Sequence, residues 1–511
     1  MQQYLLGEAI VSAAKKDGSS EFEYTLPEYL PGISRIVKST ASVEKSVARQ
    51  DGDELYCDIF LKVGIIYVSD FGGKIKSIFF DEVIKLPMGT LADSGEECTT
   101  LPSAFVSSVS SRPQGQRKFT CLCNYHANVM MLKETSRNMP ECDSGKGICT
   151  LKQTKNLCRK ITLPETFSEY EGEISLDSQA KAVGEIIYAN AVFCGASCTV
   201  SDGHLDYEAK FMLHVLYETA KDEDSAAQAE YTVINAPIVV NDSIQNDKIK
   251  AGQQSFIYLD AAQPEPSAAF DGYGENRVIS FNLKYSALPI LFEKYELEAV
   301  IDAFSENAQS SVVITQTDAS IPKYTVSDSV TMSQTLKTDI GDLAEISDCS
   351  AEILSVTTEY SDSKFFAAAK CLVNIFGITK NKELTCLDSI VTLHVPIMQS
   401  TSLDSSCVPE ILLSVRGCSA EIREGAITVV FDMAVNGVIT EKTSLNLVTD
   451  LDIDDDACIK KQRGEIVVCY PSQNDRLWDI AKKYRVNPET IAQANNLENE
   501  EISSKHILLI P

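Results

Sequence analysis

The sequence predicts a mainly β protein, built from three tandem β-rich repeats and closed by a small α+β module of strand, helix, helix and strand. Two observations predict this fold class. Segments that alternate apolar and polar residues, the period of a half-buried strand, recur along the chain at nearly constant spacing. Convincing helical periodicity, by contrast, is confined to residues 464–511. Together they indicate layered sheets followed by one separate module.

The repeats are read from two alternating segments, 57–67 and 207–217, which lie 150 residues apart. Segments 82–87 and 232–237 keep that offset and each ends in proline, as does a third copy, 391–396, at an offset of 159. We therefore predict repeat 1 at 1–155, repeat 2 at 156–315, repeat 3 at 316–449, a linker at 450–463 and the terminal module at 464–511. The alternating apolar positions are Cys57, Ile59, Leu61, Val63, Ile65 and Tyr67, and Tyr207, Ala209, Phe211, Leu213, Val215 and Tyr217.

The third copy departs from its siblings, because Lys370 and Asn374 fall on the face that the other two keep apolar. A register flip or a one-residue bulge would restore an apolar face. That face would consist of Phe365, Ala367, Ala369, Cys371, Val373 and Ile375. Two short helices are expected inside the repeats, at 33–39 and 292–304.

Composition limits the function classes. A chain of 511 residues is too long for one core, and its net charge of −28 argues against nucleic acid or an anionic membrane as a partner. No apolar run is long enough for a transmembrane helix, and the N-terminus is a poor signal peptide because no basic residue precedes its apolar patch. We therefore expect a cytoplasmic protein without membrane insertion.

The sixteen cysteines are expected to be reduced, mostly as small apolar core residues. Cys121 and Cys123 would point to one face of a strand, which is poor geometry for a bridge. Cys142, Cys149 and Cys158 with His126 could be imagined as zinc ligands, but the spacing fits no common finger. No metal site and no cofactor are predicted.

An acidic run at 450–456 invites a calcium interpretation. Counting from Asp450, however, the sixth and twelfth positions are Asp455 and Lys461, where an EF-hand loop needs glycine and glutamate. A solvated linker is the simpler interpretation. Because no nucleophile and base fall into a recognisable motif, we predict that the protein is not an enzyme.

The terminal module is specified element by element. Leu477, Ile480, Ala481 and Tyr484 form the apolar face of a first helix. Asn487 can cap a second helix, with Pro488 at its first position. Ile491, Ala494 and Leu497 give that helix an apolar side, and segments 465–469 and 506–510 are expected to pair as strands.

This module resembles the LysM family along its whole length. Residues 474–484 stand where the family has G-D-T-L-W-x-I-A-x-x-Y, 495–497 match its N-N-L, and 508–511 match its closing L-x-I-P. LysM domains bind glycans that contain N-acetylglucosamine, in a groove between the loop before the first helix and the loop after the second. The resemblance places this groove at Asn474, Asp475, Arg476, Leu477, Asn496, Leu497 and Ile502.

The groove loops depart from the family pattern. Asn474 replaces a glycine, Arg476 replaces a threonine, and Ser504 and Lys505 replace a Pro-Gly pair. Glycine permits close approach of a ligand to the backbone, and arginine is bulkier than threonine. The changes favour two interpretations that the sequence leaves open, a glycan-binding module and a module that docks protein.

The whole chain resembles the SPOCS (spore coat and crust) domain proteins of endospore-forming Firmicutes, especially the SipL-like members. Two features carry this resemblance. One is the segment 23–36, with two prolines and an I-x-x-I, and the other is the order of three β-rich repeats and one LysM. It implies a non-catalytic morphogenetic scaffold of the mother-cell cytosol at the forespore surface. Its implied partners are the coat basement-layer ATPase and other coat proteins. The alternative is a cell-wall or cortex protein that binds peptidoglycan or other N-acetylglucosamine glycans.

Overall fold

A computed structural model describes most of the 511 residues. The described residues are 2–90, 98–139, 147–220, 230–337, 341–398, 403–458, 467–472, 475–497, 502 and 507–511. Within them the chain is mainly β, with two short helices near the C-terminus. Neither helix approaches the length and apolarity of a membrane-spanning segment.

The first six strands form two three-stranded antiparallel sheets, which we call unit 1. The strands are β1 (Gln2–Thr25), β2 (Ile33–Asp51), β3 (Glu54–Ser69), β4 (Ile75–Thr90), β5 (Thr99–Pro113) and β6 (Lys118–Met139). The sheets have the orders β2-β3-β4 and β1-β6-β5. Their inner faces pack together around Ile59, Leu61, Val63, Phe119 and Cys121.

Unit 2 has the same plan, but both edge strands of its second sheet are divided in two. Its strands are β7 (Ile148–Thr162), β8 (Thr166–Ser175), β9 (Val183–Ser201), β10 (His204–Thr219), β11 (Tyr231–Gln245), β12 (Gln254–Ala261), β13 (Glu265–Phe270) and β14 (Asn276–Ser305). One sheet is β11-β10-β9, and β14 pairs with β7, β8, β12 and β13 in the other.

Unit 3 returns to six strands and two three-stranded sheets. Its strands are β15 (Ala308–Leu336), β16 (Leu343–Ser361), β17 (Lys364–Thr379), β18 (Leu384–Pro396), β19 (Cys407–Arg423) and β20 (Ala426–Cys458). The sheets are β16-β17-β18 and β15-β20-β19, and a contiguous apolar core lies between them.

The central strands β3, β10 and β17 bury the faces that alternation predicts. Every predicted apolar position of β3 and β10 is at most 4% exposed. The apolar face proposed for the third copy is confirmed as well, because Phe365 through Ile375 at alternate positions are buried and Lys370 is exposed. A register irregularity lies between Ile353 and Ser355, where β16 pairs with β17.

Both helices predicted inside the repeats are wrong. Residues 33–39 begin β2 and residues 292–304 lie in β14. In each segment the apolar spacing looked helical because irregular pairing moves side chains out of strict alternation. Register shifts follow Ile33 and Ile36 in β2, and another lies between Val300 and Asp302 in β14.

The proposed equivalence of the three prolines holds for two of them. Pro87 lies opposite Tyr56, Pro396 opposite Phe366, and Pro237 opposite Met212. Tyr56 and Phe366 occupy corresponding positions on β3 and β17, whereas Met212 lies six residues farther along β10. The cause is the connection between β10 and β11, residues 220–230, which is six residues longer than its counterpart at 70–74.

The predicted domain boundaries do not coincide with the ends of the strands. The predicted limits at 155, 315 and 449 fall inside β7, β15 and β20. The acidic segment from Asp450 to Asp454 is not a linker, since it continues β20 and pairs with β15. Its aspartates at 452 and 454 are exposed and alternate with half-buried Leu451 and Ile453, so the charges occupy the outer face of a strand. Residues 459–463 lie outside the described residues.

The three units close on one another around a shared apolar cluster. Three residues at corresponding places on β3, β10 and β17, namely Ile66, Leu216 and Phe376, are buried in it. Opposite them, just after a bulge on β2, β9 and β16, lie Lys38, Tyr188 and Asp348. Each of these three side chains reaches into another unit, and the ring of Tyr188 lies near both of the other units, 5.9 Å from that of Phe376 in unit 3.

The chemistry differs at each junction. Lys38 of unit 1 donates to Asn374 Oδ1 at 2.9 Å and to Asp388 Oδ1 at 2.5 Å in unit 3. The aromatic ring of Tyr188 in unit 2 lies 6.3 Å from that of Phe79 in unit 1.

At the remaining junction, Asp348 of unit 3 meets His214 and Asn235 of unit 2, with its oxygens 3.0 Å from His214 Nδ1 and 2.9 Å from Asn235 Nδ2. A buried polar group that lacks its partner costs free energy. Any other arrangement of the three units would leave these buried polar groups without partners. The polar contacts therefore favour the observed arrangement.

Candidate functional site

The C-terminal module consists of β21 (Val467–Cys469), α1 (Leu477–Tyr484), α2 (Pro488–Ala494) and β22 (Leu508–Ile510). The two strands pair antiparallel, Val468 opposite Leu509. The predicted face of α1 is confirmed, since Leu477, Ile480 and Ala481 are buried and Tyr484 is half-buried. These side chains pack with Ile491 of α2 and with both strands in one small core.

The two helices begin differently. Asn487 caps α2 as predicted, accepting a hydrogen bond from Glu489 N at 2.8 Å, and Pro488 opens the helix. At α1 the cap position is Arg476, which has no side-chain capping bond. Its guanidinium donates instead to Asp479, at 2.9 and 3.1 Å, and this contact holds the pKa of the Asp479 carboxyl below its usual range. The threonine of the family pattern could cap the helix backbone, whereas Arg476 forms an exposed ion pair instead.

Asn495 fastens the end of α2 to the last strand. Its Nδ2 donates to Leu509 O at 2.7 Å and to Ile491 O at 2.8 Å, while its Oδ1 accepts from Leu509 N at 2.7 Å. The amide thus pairs with β22 as a neighbouring strand would. The first asparagine of the N-N-L motif is therefore a structural residue.

Replacing Asn495 by alanine should destabilise the module by about 2–3 kcal/mol, because three hydrogen bonds at the base of β22 are lost. Trp478 is the one tryptophan of the chain, so its fluorescence during urea unfolding reports on this module. The control is Asn496→Gly. Asn496 has φ of 49°, which glycine adopts freely, so that variant should retain wild-type stability. Equal unfolding midpoints for wild type and Asn495→Ala would contradict the assignment.

The seven predicted groove residues differ in their surroundings. Leu477, Leu497 and Ile502 come together in the module's core, beneath the predicted groove. Arg476 and Asn496 are exposed. The other two predicted residues are Asp475, which is half-buried and accepts from Ser472 N at 2.8 Å, and Asn474, which lies outside the described residues.

A carboxylate of unit 2 contacts two side chains of the module. Asp302 of β14 accepts from Trp478 Nε1 at 2.8 Å and from Lys482 Nζ at 2.6 and 2.8 Å. The Phe304 ring stacks edge-on against Trp478 with a centroid distance of 5.1 Å. Beneath them Cys149 of β7 is 6% exposed and belongs to the module's own apolar cluster. Side chains of the body thus complete the core of the module.

Two backbone contacts add to this interface. Arg485 donates to Ala308 O at 3.1 Å, and Asn487 N donates to Glu306 Oε1 at 2.8 Å. Sequence reasoning missed this docking face. Its one visible signal was Trp478, an aromatic residue one position away from the apolar face of α1. The docking residues of α1 leave the predicted groove residues Arg476 and Asn496 exposed.

A second feature is a cavity of about 600 Å³ where the three units meet. Carboxylates from all three units line it, namely Asp17 and Glu44 of unit 1, Glu165 and Asp260 of unit 2, and Glu352 and Asp388 of unit 3. Burial and then the charge of Glu165 raise the pKa of Asp260 to about 6, and burial and then Asp260 raise the pKa of Glu352 to about 7. Burial also raises the pKa of Glu44 and of Glu165. No sequence motif predicts this cluster, because its members are far apart in sequence.

The cavity predicts a pH dependence of stability. The folded-state pKa values of Asp260 and Glu352 lie above the unfolded values, so the folded chain keeps protons that the unfolded chain releases. The contribution of these two groups to the free energy of unfolding is therefore largest below about pH 4, and it falls as the pH rises through about 6–7. Asp260 is exposed and Glu352 is partly exposed, so solvent screening limits the loss to about 1 kcal/mol for each group.

Urea unfolding between about pH 5 and about pH 8 measures this dependence. The Asp260→Asn, Glu352→Gln double variant should flatten the curve in that range, whereas Glu21→Gln on the exposed face of β1 should leave it unchanged. A double variant with the wild-type slope would show that these carboxyls do not carry the effect.

The imagined zinc ligands are not brought together. Cys149 and Cys158 are both buried, Cys149 under the terminal module and Cys158 beside Phe292, and Cys142 lies outside the described residues. Across the described part of the chain, no three His, Cys, Asp or Glu side chains are placed so that they could hold a metal ion. Nor does a disulfide join any of the fourteen cysteines whose side chains are described.

A family model of the LysM domain matches residues 472–511. The chain therefore carries a C-terminal LysM domain, whose elements are α1, α2 and β22 with the loops between them. LysM domains typically bind glycans such as N-acetylglucosamine polymers, and this domain indicates a glycan-binding role. No curated protein and no solved structure matches the chain.

Proposed function

We propose that this protein is a non-catalytic scaffold of the spore envelope, which gathers at the forespore surface and holds coat proteins together. In this role its LysM domain docks a protein partner, the coat basement-layer ATPase, and the three β units offer further attachment surfaces. The proposal extends the resemblance of residues 23–36 and of the domain order to the SPOCS family.

The observation that carries the proposal is the fixed LysM domain with exposed groove residues. Asp302 holds α1 from the body side, while the Arg476 side chain remains 69% exposed. A module that is fixed in orientation loses less entropy when a partner binds than one on a free tether. Several weak sites on one rigid body also add through effective concentration, which suits a scaffold.

The segment that resembles the SPOCS family also supports the proposal, because it has a defined structural task. Arg117 of unit 1 donates to the carbonyl oxygens of Leu26, Pro27 and Leu30. The guanidinium thus fixes the two-proline loop between β1 and β2. Residues 177–180 occupy the corresponding place in unit 2, where Arg277 donates to Asp177 O. A motif with this task can be shared by proteins of one architecture.

The test is binding of the purified full-length protein to the coat basement-layer ATPase, with Arg476→Ala as the groove variant. Arg476 is exposed and pairs with the exposed Asp479, so its loss should not unfold the domain. We expect affinity to fall about tenfold or more, as for loss of a central interface arginine. Arg423→Ala is the matched control, since Arg423 is 68% exposed and pairs with Glu421 in the same way, but lies far along unit 3. Equal affinity of both variants and the wild type would refute docking through the groove.

The alternative function is binding of peptidoglycan or another N-acetylglucosamine glycan. The LysM match over residues 472–511 favours it directly. Titration of the full-length protein with an N-acetylglucosamine hexamer distinguishes the two functions. Saturable binding that Arg476→Ala abolishes, without binding to the ATPase, would establish the glycan role and exclude the docking role. Our proposal expects that the protein binds the ATPase and that calorimetric titration with the hexamer shows no heat of binding.

A further inference from the structure

Two cysteines face each other between the terminal strands of the two sheets of unit 3. Cys349 lies on β16 and Cys418 on β19, each the edge strand of its sheet. Their Sγ atoms are 3.2 Å apart. A disulfide has sulfur atoms about 2.05 Å apart, so an approach of only about 1.2 Å would join them. The corresponding positions on β2 and β9 are Ser39 and Ala189, so this contact belongs to unit 3 alone.

The surroundings give the two thiols different roles. Cys349 is 7% exposed, and its hydrogen bond to Cys418 and its burial hold the pKa of its thiol well above the ordinary value. Cys418 is half-buried and therefore accessible to a small reagent. A third thiol, Cys371, is fully buried in the same core, and burial raises its pKa to about 12. Reaction should thus begin at Cys418.

We propose that Cys349 and Cys418 are a redox site, which a low-molecular-weight disulfide oxidises to a covalent staple between the two sheets of unit 3. This inference does not depend on the proposed function. In the first step the Cys418 thiolate attacks one sulfur of the reagent, whose S–S bond breaks and releases one thiolate. In the second step Cys349 loses its proton to solvent and attacks Cys418 Sγ, releasing the second thiolate. Two protein thiols are oxidised and one reagent disulfide is reduced to two thiols.

The staple would close a loop of 69 residues between the edges of the sandwich. Loops of this length restrict the unfolded chain strongly, so the oxidised protein should be more stable than the reduced one. β16 and β19 are the terminal strands of their two sheets, so the bond would join the sheets at their edge. The bond would lock unit 3 at that point.

Oxidation of the purified full-length protein with oxidised glutathione tests the site. After alkylation and proteolysis, mass spectrometry should find a peptide pair joined through Cys349 and Cys418, and the thermal midpoint should rise by several degrees. Cys371→Ala should still form the bond. Cys349→Ala should stop at a glutathione adduct on Cys418, which keeps the test valid even where the variant is less stable.

Three results would overturn the proposal. They are alkylation of both cysteines after oxidation, glutathione adducts on the wild type without a bond, and a bond from either cysteine to Cys371. Reversal of the midpoint by dithiothreitol in the wild type, but not in Cys418→Ala, would show that the added stability comes from this bond.

Discussion

Replacing Lys38 by alanine is expected to destabilise the whole chain by about 2–4 kcal/mol. The Lys38 side chain is 4% exposed and donates to Asn374 and Asp388 across the junction of units 1 and 3. Burial alone would lower the pKa of Lys38, but Cys386 and Asp388 outweigh it and raise the value, so the charged form is retained. Alanine would leave a carboxylate and a buried amide without this partner. Urea unfolding followed by circular dichroism measures the loss.

A second ion pair across the same junction provides the control. Arg35 of unit 1 meets Glu383 of unit 3 at 3.1 Å, but their side chains are 48% and 57% exposed. Arg35→Ala should therefore cost less than about 1 kcal/mol. The double variant Lys38→Met, Asp388→Leu should recover most of the loss, since no unpaired charge remains. If Lys38→Ala and Arg35→Ala have equal effects, the buried contact does not hold the junction.

Replacing Asp302 by alanine should release the LysM domain from the body. Trp478 and Lys482 lose their shared acceptor, which weakens docking by about 2–4 kcal/mol. Cys149 is buried beneath the domain and reports on release. Its alkylation by iodoacetamide, measured by mass spectrometry, should accelerate by about 30-fold or more.

Two variants make this test specific. Asp302→Asn keeps an acceptor for Trp478 but loses the charge, so its labelling rate should be intermediate. Asp452→Ala removes an exposed aspartate from the outer face of β20 and should label Cys149 at the wild-type rate. Unchanged labelling in Asp302→Ala, with Trp478 fluorescence still native, would show that the apolar contacts with Phe304 suffice for docking.

The parts of the fold that were predicted from the sequence follow from local physics. Alternation located the buried faces of β3 and β10, since burial on one face imposes period two. Asn487 and Pro488 located the start of α2, because caps act within one turn. The LysM domain was recognised in full for the same reason. Its helix faces, cap and closing strand lie within 40 residues, so each is specified by near neighbours.

The junctions could not be predicted because they depend on contacts between distant segments. Lys38, Tyr188 and Asp348 occupy corresponding positions, yet they share no chemistry that a pattern could detect. The docking role of Asp302 could not be predicted for a similar reason. It lies in a segment predicted as helix, and only a bulge in β14 and the docked domain give its carboxylate a role. Strand pairing likewise accounts for the acidic segment at 450–454, which charge alone indicated as a linker.

The most direct test of a spore-envelope scaffold is the position of the fluorescently tagged full-length protein in sporulating cells. We predict a shell at the forespore surface for the wild type and for Arg423→Ala, and a weakened or diffuse signal for Arg476→Ala and for the variant without residues 464–511. Diffuse fluorescence of the wild type throughout sporulation, or a shell that persists in both LysM variants, would contradict the account.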